Sequence, residues 1–366
     1  MNKLFKKLHL WLSLPLGIVM SITCFTGAML IFENEITQQA QKHLQFVRTV
    51  QPQALPMDSL VLQVLPTLDK GVEITGVTIS NNPKRAYKIN LSKPKRAGIY
   101  VDQYTGEVLG KTERLPFFQT MFRLHRWLMD TKPEDGGIYW GKLIVGISTA
   151  LMVIILITGL VIWIPKNRKS LKNRLTIQVR KGQRRFWYDL HIAGGFYAAL
   201  LLLAMALTGL TWSFPGYRDA FYGMLGVETK SNNTVNAVNK DVKRGKKELI
   251  NYKYWETIYQ QVAHENPEYK QITVGKGSAQ VAFSQWGNQR ASDRYSFEEK
   301  TGEITGVQRY QDSAYDGKVR GWVYTLHVGN WGGYFSRILW FLAAMMGAAL
   351  PLSGYYLWFK RMRKQN

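Results

Sequence analysis

Residues Leu8–Phe32 read LHLWLSLPLGIVMSITCFTGAMLIF, a run of 25 without Asp, Glu, Lys or Arg. At about 1.5 Å of rise per residue, an uncharged helix of that length crosses a bilayer core of roughly 30 Å. Three further stretches share its character: Leu143–Pro165, Leu190–Tyr217 and Ile338–Phe359, with 23, 28 and 22 residues. They predict a polytopic membrane protein, where 366 residues alone would suggest two soluble domains.

A net charge of +23 invites a nucleic-acid partner, but the charge has another address. The short pieces 1–7, 166–185 and 360–366 carry 3, 9 and 4 basic residues and no acidic ones. The long segments 33–137 and 218–337 are nearly balanced, with 14 basic against 11 acidic residues and 17 against 13. Basic residues in short loops stay on the cytoplasmic side. Both termini and the 166–185 loop are therefore expected inside, with the long segments on the other face. No nucleic acid is needed; the bilayer is the partner. The expected division is a first span (1–32), an outer module (33–137), a second span (138–165), a basic loop (166–185), a third span (186–217), a second outer module (218–335), a fourth span (336–360) and a tail (361–366).

The first apolar run is longer than a signal-peptide core and no small-x-small site follows Phe32, so an uncleaved span is expected. Cys24 is the single cysteine. Intrachain disulfides, Cys-x-x-Cys-His haem attachment and thiolate metal clusters are thereby excluded.

The chain reads twice. Leu8-His9 aligns with Leu190-His191, and Thr26-Gly27 with Thr208-Gly209. Leu124-His125 aligns with Leu326-His327, and Thr158-Gly159 with Ser353-Gly354. Thr105-Gly106-Glu107 answers to Thr301-Gly302-Glu303. Each half runs out and back, which predicts parallel repeats about an axis along the membrane normal. Within each outer segment a helical stretch, Met57–Leu68 or Tyr252–His264, precedes alternating stretches. Those stretches are Glu73–Ile79, Ala86–Leu91 and Gly98–Asp102, then Gln271–Val274, Ala279–Gln285 and Arg294–Phe297. Each set predicts a helix on a small antiparallel sheet, with the Thr-Gly-Glu pieces as hairpin turns into a last strand. The polar stretch Val227–Lys247 reads as an insertion. The predicted fold is an all-α four-helix membrane bundle with two α+β outer modules.

These features, above all Tyr100-Val-Asp-Gln-Tyr-Thr-Gly-Glu-Val108 and the repeated Leu-His pairs, resemble the PepSY-associated transmembrane family over essentially the whole chain. The resemblance implies periplasmic PepSY-like modules, b-type haem in the membrane and an inner-membrane ferric-siderophore reductase of the FoxB type. The second module departs from the pattern, since Tyr295-Ser-Phe-Glu-Glu-Lys-Thr-Gly-Glu303 lacks the aspartate that Asp102 supplies.

Four of six histidines, His9, His125, His191 and His327, follow leucine at or before the leading end of a span. By the expected topology His9 and His191 share the cytoplasmic edge, and His125 and His327 the outer edge. Ionisable residues at such depths are functional candidates. As ligands they predict haem b at one pair or both, two haems if both are used. Lys6, Lys7, Arg184 and Arg185 inside, and Arg123, Arg126 and Arg320 outside, are candidates for the haem propionates. The bland alternatives are four interfacial histidines and, for Trp127, Trp212, Trp331 and the other span-end tryptophans, an aromatic belt. His43 and His264 read as solvated. No Gly-x-Gly-x-x-Gly or Walker sequence occurs, so electrons are expected from a quinol, a reduced flavin or another protein. Two functions follow: a haem reductase acting on periplasmic ferric siderophores, or a non-enzymatic module that binds a peptide or protein partner.

Overall fold

The computed structural model describes residues 2–165, 167–227, 252–283 and 286–363. Most of the expected insertion Val227–Lys247 lies outside the described residues. The four uncharged runs fold as helices Lys3–Ile31, Trp140–Trp163, Gln183–Ser213 and Gly333–Met362, each long and apolar enough to cross a membrane. In a helix every backbone group in the hydrocarbon finds its partner within the segment.

The chain divides into two compact units. One comprises Met1–Glu33, Pro116–Val227 and Trp322–Asn366; the other comprises Asn34–Leu115 and Glu228–Gly321. These bounds differ from the segments 33–137 and 218–335. The helix Pro116–Trp127 packs on the first and second spans. From Trp322 onward, the helix Tyr315–Val328 also belongs with the spans. Neither helix is long enough to span, so hydropathy alone assigns them to the segments between.

Within the membrane unit, the first and fourth spans are tied by hydrogen bonds to backbone carbonyls. Ser21 Oγ donates to Ala348 at 2.9 Å, Tyr355 to Leu14, and the buried Arg337 guanidinium to Ile31 at the end of the first span. Gly17 lets Tyr355 approach, since a Cβ there would lie 2.6 Å from its hydroxyl. Arg174 caps the second span, donating to Ile162 at 2.9 Å and Trp163 at 2.5 Å. Cations at helix C-termini satisfy the orphan carbonyls and the dipole together.

The other unit corrects the expectation of two separate small sheets. Its strands are β1 (Ile74–Ser80), β2 (Tyr87–Leu91), β3 (Gly98–Val101), β4 (Val108–Thr112), β5 (Tyr269–Gly275), β6 (Ser278–Phe283), β7 (Ser292–Phe297) and β8 (Ile304–Gln308). They form one antiparallel sheet in the order β4-β3-β2-β1-β5-β6-β7-β8. Two four-stranded sheets would each leave a first-strand edge unpaired, and the β1–β5 seam pairs those edges. Gly76 stands opposite Gly275 there, and a Cβ on either would lie 2.6 Å from a carbonyl oxygen of the facing strand. Thr78 and Thr273 share a 2.8 Å hydroxyl hydrogen bond across the seam. The helices Met57–Val64 and Trp255–Glu265 bury their apolar faces on the alternating buried residues of the strands. Both Thr-Gly-Glu pieces are hairpin turns with left-handed glycines, Gly106 at φ 78° and Gly302 at φ 73°. Asp102 accepts from the amides of Tyr104 and Thr105 in the first turn. The second has Glu298 at that position and closes through main-chain bonds from Glu298 and Gly302.

Candidate functional site: two histidine pairs

The four histidines that follow leucine meet as two pairs. His9 and His191 have ring centres 6.2 Å apart and planes crossed at 88°. His125 and His327 have the same 6.2 Å separation with planes at 50°. Each ring rests on a neighbouring span in a seat of one pattern: a carbonyl at one position, a hydroxyl residue three further on that donates back to it, and a glycine next. His9 Nδ1 lies 3.0 Å from the Ile155 carbonyl and 3.3 Å from Thr158 Oγ1, against Gly159. His191 Nδ1 lies 3.1 Å from the Leu350 carbonyl and 2.9 Å from Ser353 Oγ, against Gly354. His327 Nδ1 lies 3.0 Å from the Met205 carbonyl and 3.2 Å from Thr208 Oγ1, against Gly209. His125 Nδ1 lies 2.8 Å from the Thr23 carbonyl, against Gly27. There the hydroxyl of Thr26 turns back to its own helix.

A carbonyl oxygen only accepts, so in every seat Nδ1 carries the proton and donates. The Nε2 lone pair is then left for a metal, the arrangement that orients metal-bound imidazoles and raises their basicity. Among the described residues none hydrogen-bonds to these Nε2 atoms, and all four histidines retain accessible surface. His191 lies in a single π-helical turn, Leu190–Gly194. Such turns insert an extra residue into the helix and recur at functional sites. Along the first span, His9 and the Thr23–Gly27 seat are 14 to 18 residues apart. The pairs therefore stand at levels separated by roughly 21–27 Å.

The cationic candidates differ in their commitments. Arg185 Nε donates at 2.8 Å to Asp189, a carboxylate only 2% exposed that also accepts from the Gln178 amide. Arg126 makes no ion pair among the described residues; its guanidinium lies over the rings of Phe122 and Trp127. Arg123 donates to the Met129 carbonyl. Trp212 sets its ring centre 5.0 Å from that of His327, and Trp331 packs edge-on to Trp340. His43 and His264 are exposed. Among the described residues no three of His, Cys, Asp and Glu gather as a metal cluster.

Sequence reasoning paired the histidines but missed their seats. The signal was present: Thr158-Gly159, Ser353-Gly354, Thr208-Gly209 and Thr26-Gly27 were landmarks of the repeat, equal in number to the four histidines that follow leucine. It also missed Asp189, the acid that neutralises Arg185.

No curated protein matches the chain. Residues 6–361 match the sequence model of the PepSY-associated TM region, nearly the whole length. With four membrane-spanning helices as its frame, the chain is a multi-pass membrane protein and belongs to the PepSY-associated TM region family.

Proposed function

We propose that this chain is a haem-containing reductase of the bacterial inner membrane, which carries electrons from the cytoplasmic side to periplasmic ferric siderophores and releases their iron as Fe(II). The geometry of the pairs carries the reading. Two imidazole nitrogens each about 2 Å from one shared metal ion, with each ring centre about 1 Å behind its nitrogen, put the ring centres about 6 Å apart. Both pairs stand at 6.2 Å. The donor chemistry agrees. Two neutral imidazoles without carboxylate or thiolate make a poor non-haem centre, but their Nε2 atoms would suit the iron of a haem, whose macrocycle would supply the remaining donors. One b-type haem fits His9 with His191 and a second fits His125 with His327. Bound there, haem supplies one-electron iron chemistry that the side chains lack.

The protein's own part is to hold and insulate. The four carbonyl seats keep each Nδ1 protonated and each ring oriented. Arg126, unpaired among the described residues, offers its charge to a propionate at the second pair. Arg185 is less free for that task at the first pair, because Asp189 already neutralises it; Lys6, Lys7 and Arg184 stand on the same side. The basic short pieces support a reading with that side in the cytoplasm and the sheet-bearing segments in the periplasm. Reduction weakens the hold of a hard-oxygen chelator on iron, which is how the chelate gives up its metal. The donor is a quinol, a reduced flavin or a protein.

The test is the absorption spectrum of the purified full chain. Two haems per chain, with a Soret band that shifts on dithionite, are expected. His9→Ala or His191→Ala should remove or convert one, and His125→Ala or His327→Ala the other. A colourless protein that takes up no added haemin would sink the reductase and leave the non-enzymatic binding module.

A further inference from the structure

The helix that bears His125 ends in a backbone its own residues disfavour. Leu128 and Met129 are both left-handed, with φ of 51° and 68°. Residues with a Cβ are strained there, and such strain persists only where the surroundings over-determine it. After His327 the left-handed position falls to a glycine, Gly329 at φ 70°, which bears it without that strain.

Asp130 holds the strained turn. Its Oδ2 accepts the Gly141 amide at 2.8 Å, in the first turn of the second span. A carboxylate at that point meets free N–H groups and the positive end of the helix dipole. Tyr139 donates to the Asp130 carbonyl at 3.3 Å and stacks on Trp127. Gly141 lets the Trp127 carbonyl in: a Cβ at residue 141 would lie 1.8 Å from that oxygen. Arg123 donates to the Met129 carbonyl at 2.8 Å. His125 stands two residues before Trp127, and its ring is anchored on a different span through the Thr23 carbonyl at 2.8 Å. The imidazole is thus held between two fixed points, its seat on the first span and the turn on the second.

We propose that Asp130 is the positioning residue of the second histidine pair: by fastening the strained Leu128–Met129 turn to the second span, it fixes His125 relative to His327. The proposal rests on the reading of the pairs as haem ligands. The test uses the full chain in detergent, with the low-spin haem signal of each site assigned from His9→Ala and His125→Ala. Asp130→Ala should lose the second-site signal while the first site keeps its own, which controls for folding. Asp130→Asn retains an oxygen acceptor for the Gly141 amide and should keep most of the signal. Met129→Gly added to Asp130→Ala removes strain the lost contact had opposed, and should recover part of it. A general structural role would lower both sites together and ignore Met129→Gly, and either result overturns the proposal. So does an intact second site in Asp130→Ala where His125→Ala abolishes it, which leaves the haem reading standing. If His125→Ala and His327→Ala also leave the spectrum unchanged, the haem reading fails and this proposal with it.

Discussion

Alanine at position 27 would put a methyl carbon 2.8 Å from Cε1 and 3.0 Å from Nδ1 of His125. Comfortable carbon contacts begin near 3.5 Å, so the ring must retreat by about 0.7 Å. Among the described residues its ring hydrogen-bonds through Nδ1 to the Thr23 carbonyl at 2.8 Å, and a retreat of that size takes the bond to the limit of hydrogen-bond distance. The lost bond is worth about 1 kcal/mol net, and overpacking a filled site adds about 1–3 kcal/mol. Together, about 2–4 kcal/mol, they predict a fall in haemin affinity at the second pair of about thirtyfold to seven-hundredfold. Alanine is the better helix former, so the first span itself is not weakened. The other seats grade the effect: the corresponding contacts are 3.1 Å at Gly209, 3.2 Å at Gly159 and 3.5 Å at Gly354. Gly354→Ala meets only ordinary contact and should be nearly silent. Haemin titration of the four purified variants, read by Soret absorbance, checks the order. A Gly354→Ala variant that loses more haem than Gly27→Ala would refute the seat as the cause.

A reporter fused after Lys172 should read cytoplasmic and one within residues 232–240 periplasmic; the reverse would remove the siderophore reading. His43→Ala, an exposed change, should leave haem content and spectrum untouched. Arg174→Ala strips the cap from the second span and should cost about 1–3 kcal/mol, seen as faster proteolysis within the 166–185 loop. In the sheet unit, burial raises the pKa of Tyr259, with its 2.9 Å bond to Tyr269 adding to the effect, and burial likewise raises that of Tyr87. Folded values above the unfolded value near 10 mean that stability is complete below about pH 10 and falls as pH rises beyond it. Tyr259→Phe should flatten that alkaline loss in circular dichroism; an unchanged alkaline limb would show that Tyr259 does not contribute.

Much of the architecture is local and was readable as such. A run of 22 to 28 uncharged residues has one stable form in hydrocarbon, so the four spans follow from composition. The Thr-Gly-Glu turns need only a left-handed glycine between two alternating stretches, and both hairpins close where expected. What depended on distant partners was not readable. Whether two strand sets make two sheets or one turns on the fit of β1 to β5, where Gly76 and Gly275 remove side chains from the seam. No local pattern records that match. The short helix Pro116–Trp127 has the amphipathy of a module element, and only its packing places it with the spans.

The site divides along the same line. Sequence by itself singled out four imidazoles as candidates, because ionisable side chains beside uncharged spans are costly and four of them recur in one context. Tertiary structure alone decided how they are held. Each Nδ1 finds a carbonyl more than 100 positions away, on a span whose own Thr-Gly or Ser-Gly step leaves room for the ring. Asp130 and its strained turn belong to the same class: the capped amide lies eleven residues on, across a bend whose left-handed backbone nothing in the residues Leu128 and Met129 foretells. Partition between water and lipid is a property of a segment, legible in that segment. Close approach is a property of two surfaces, and it exists only once the chain has brought them together.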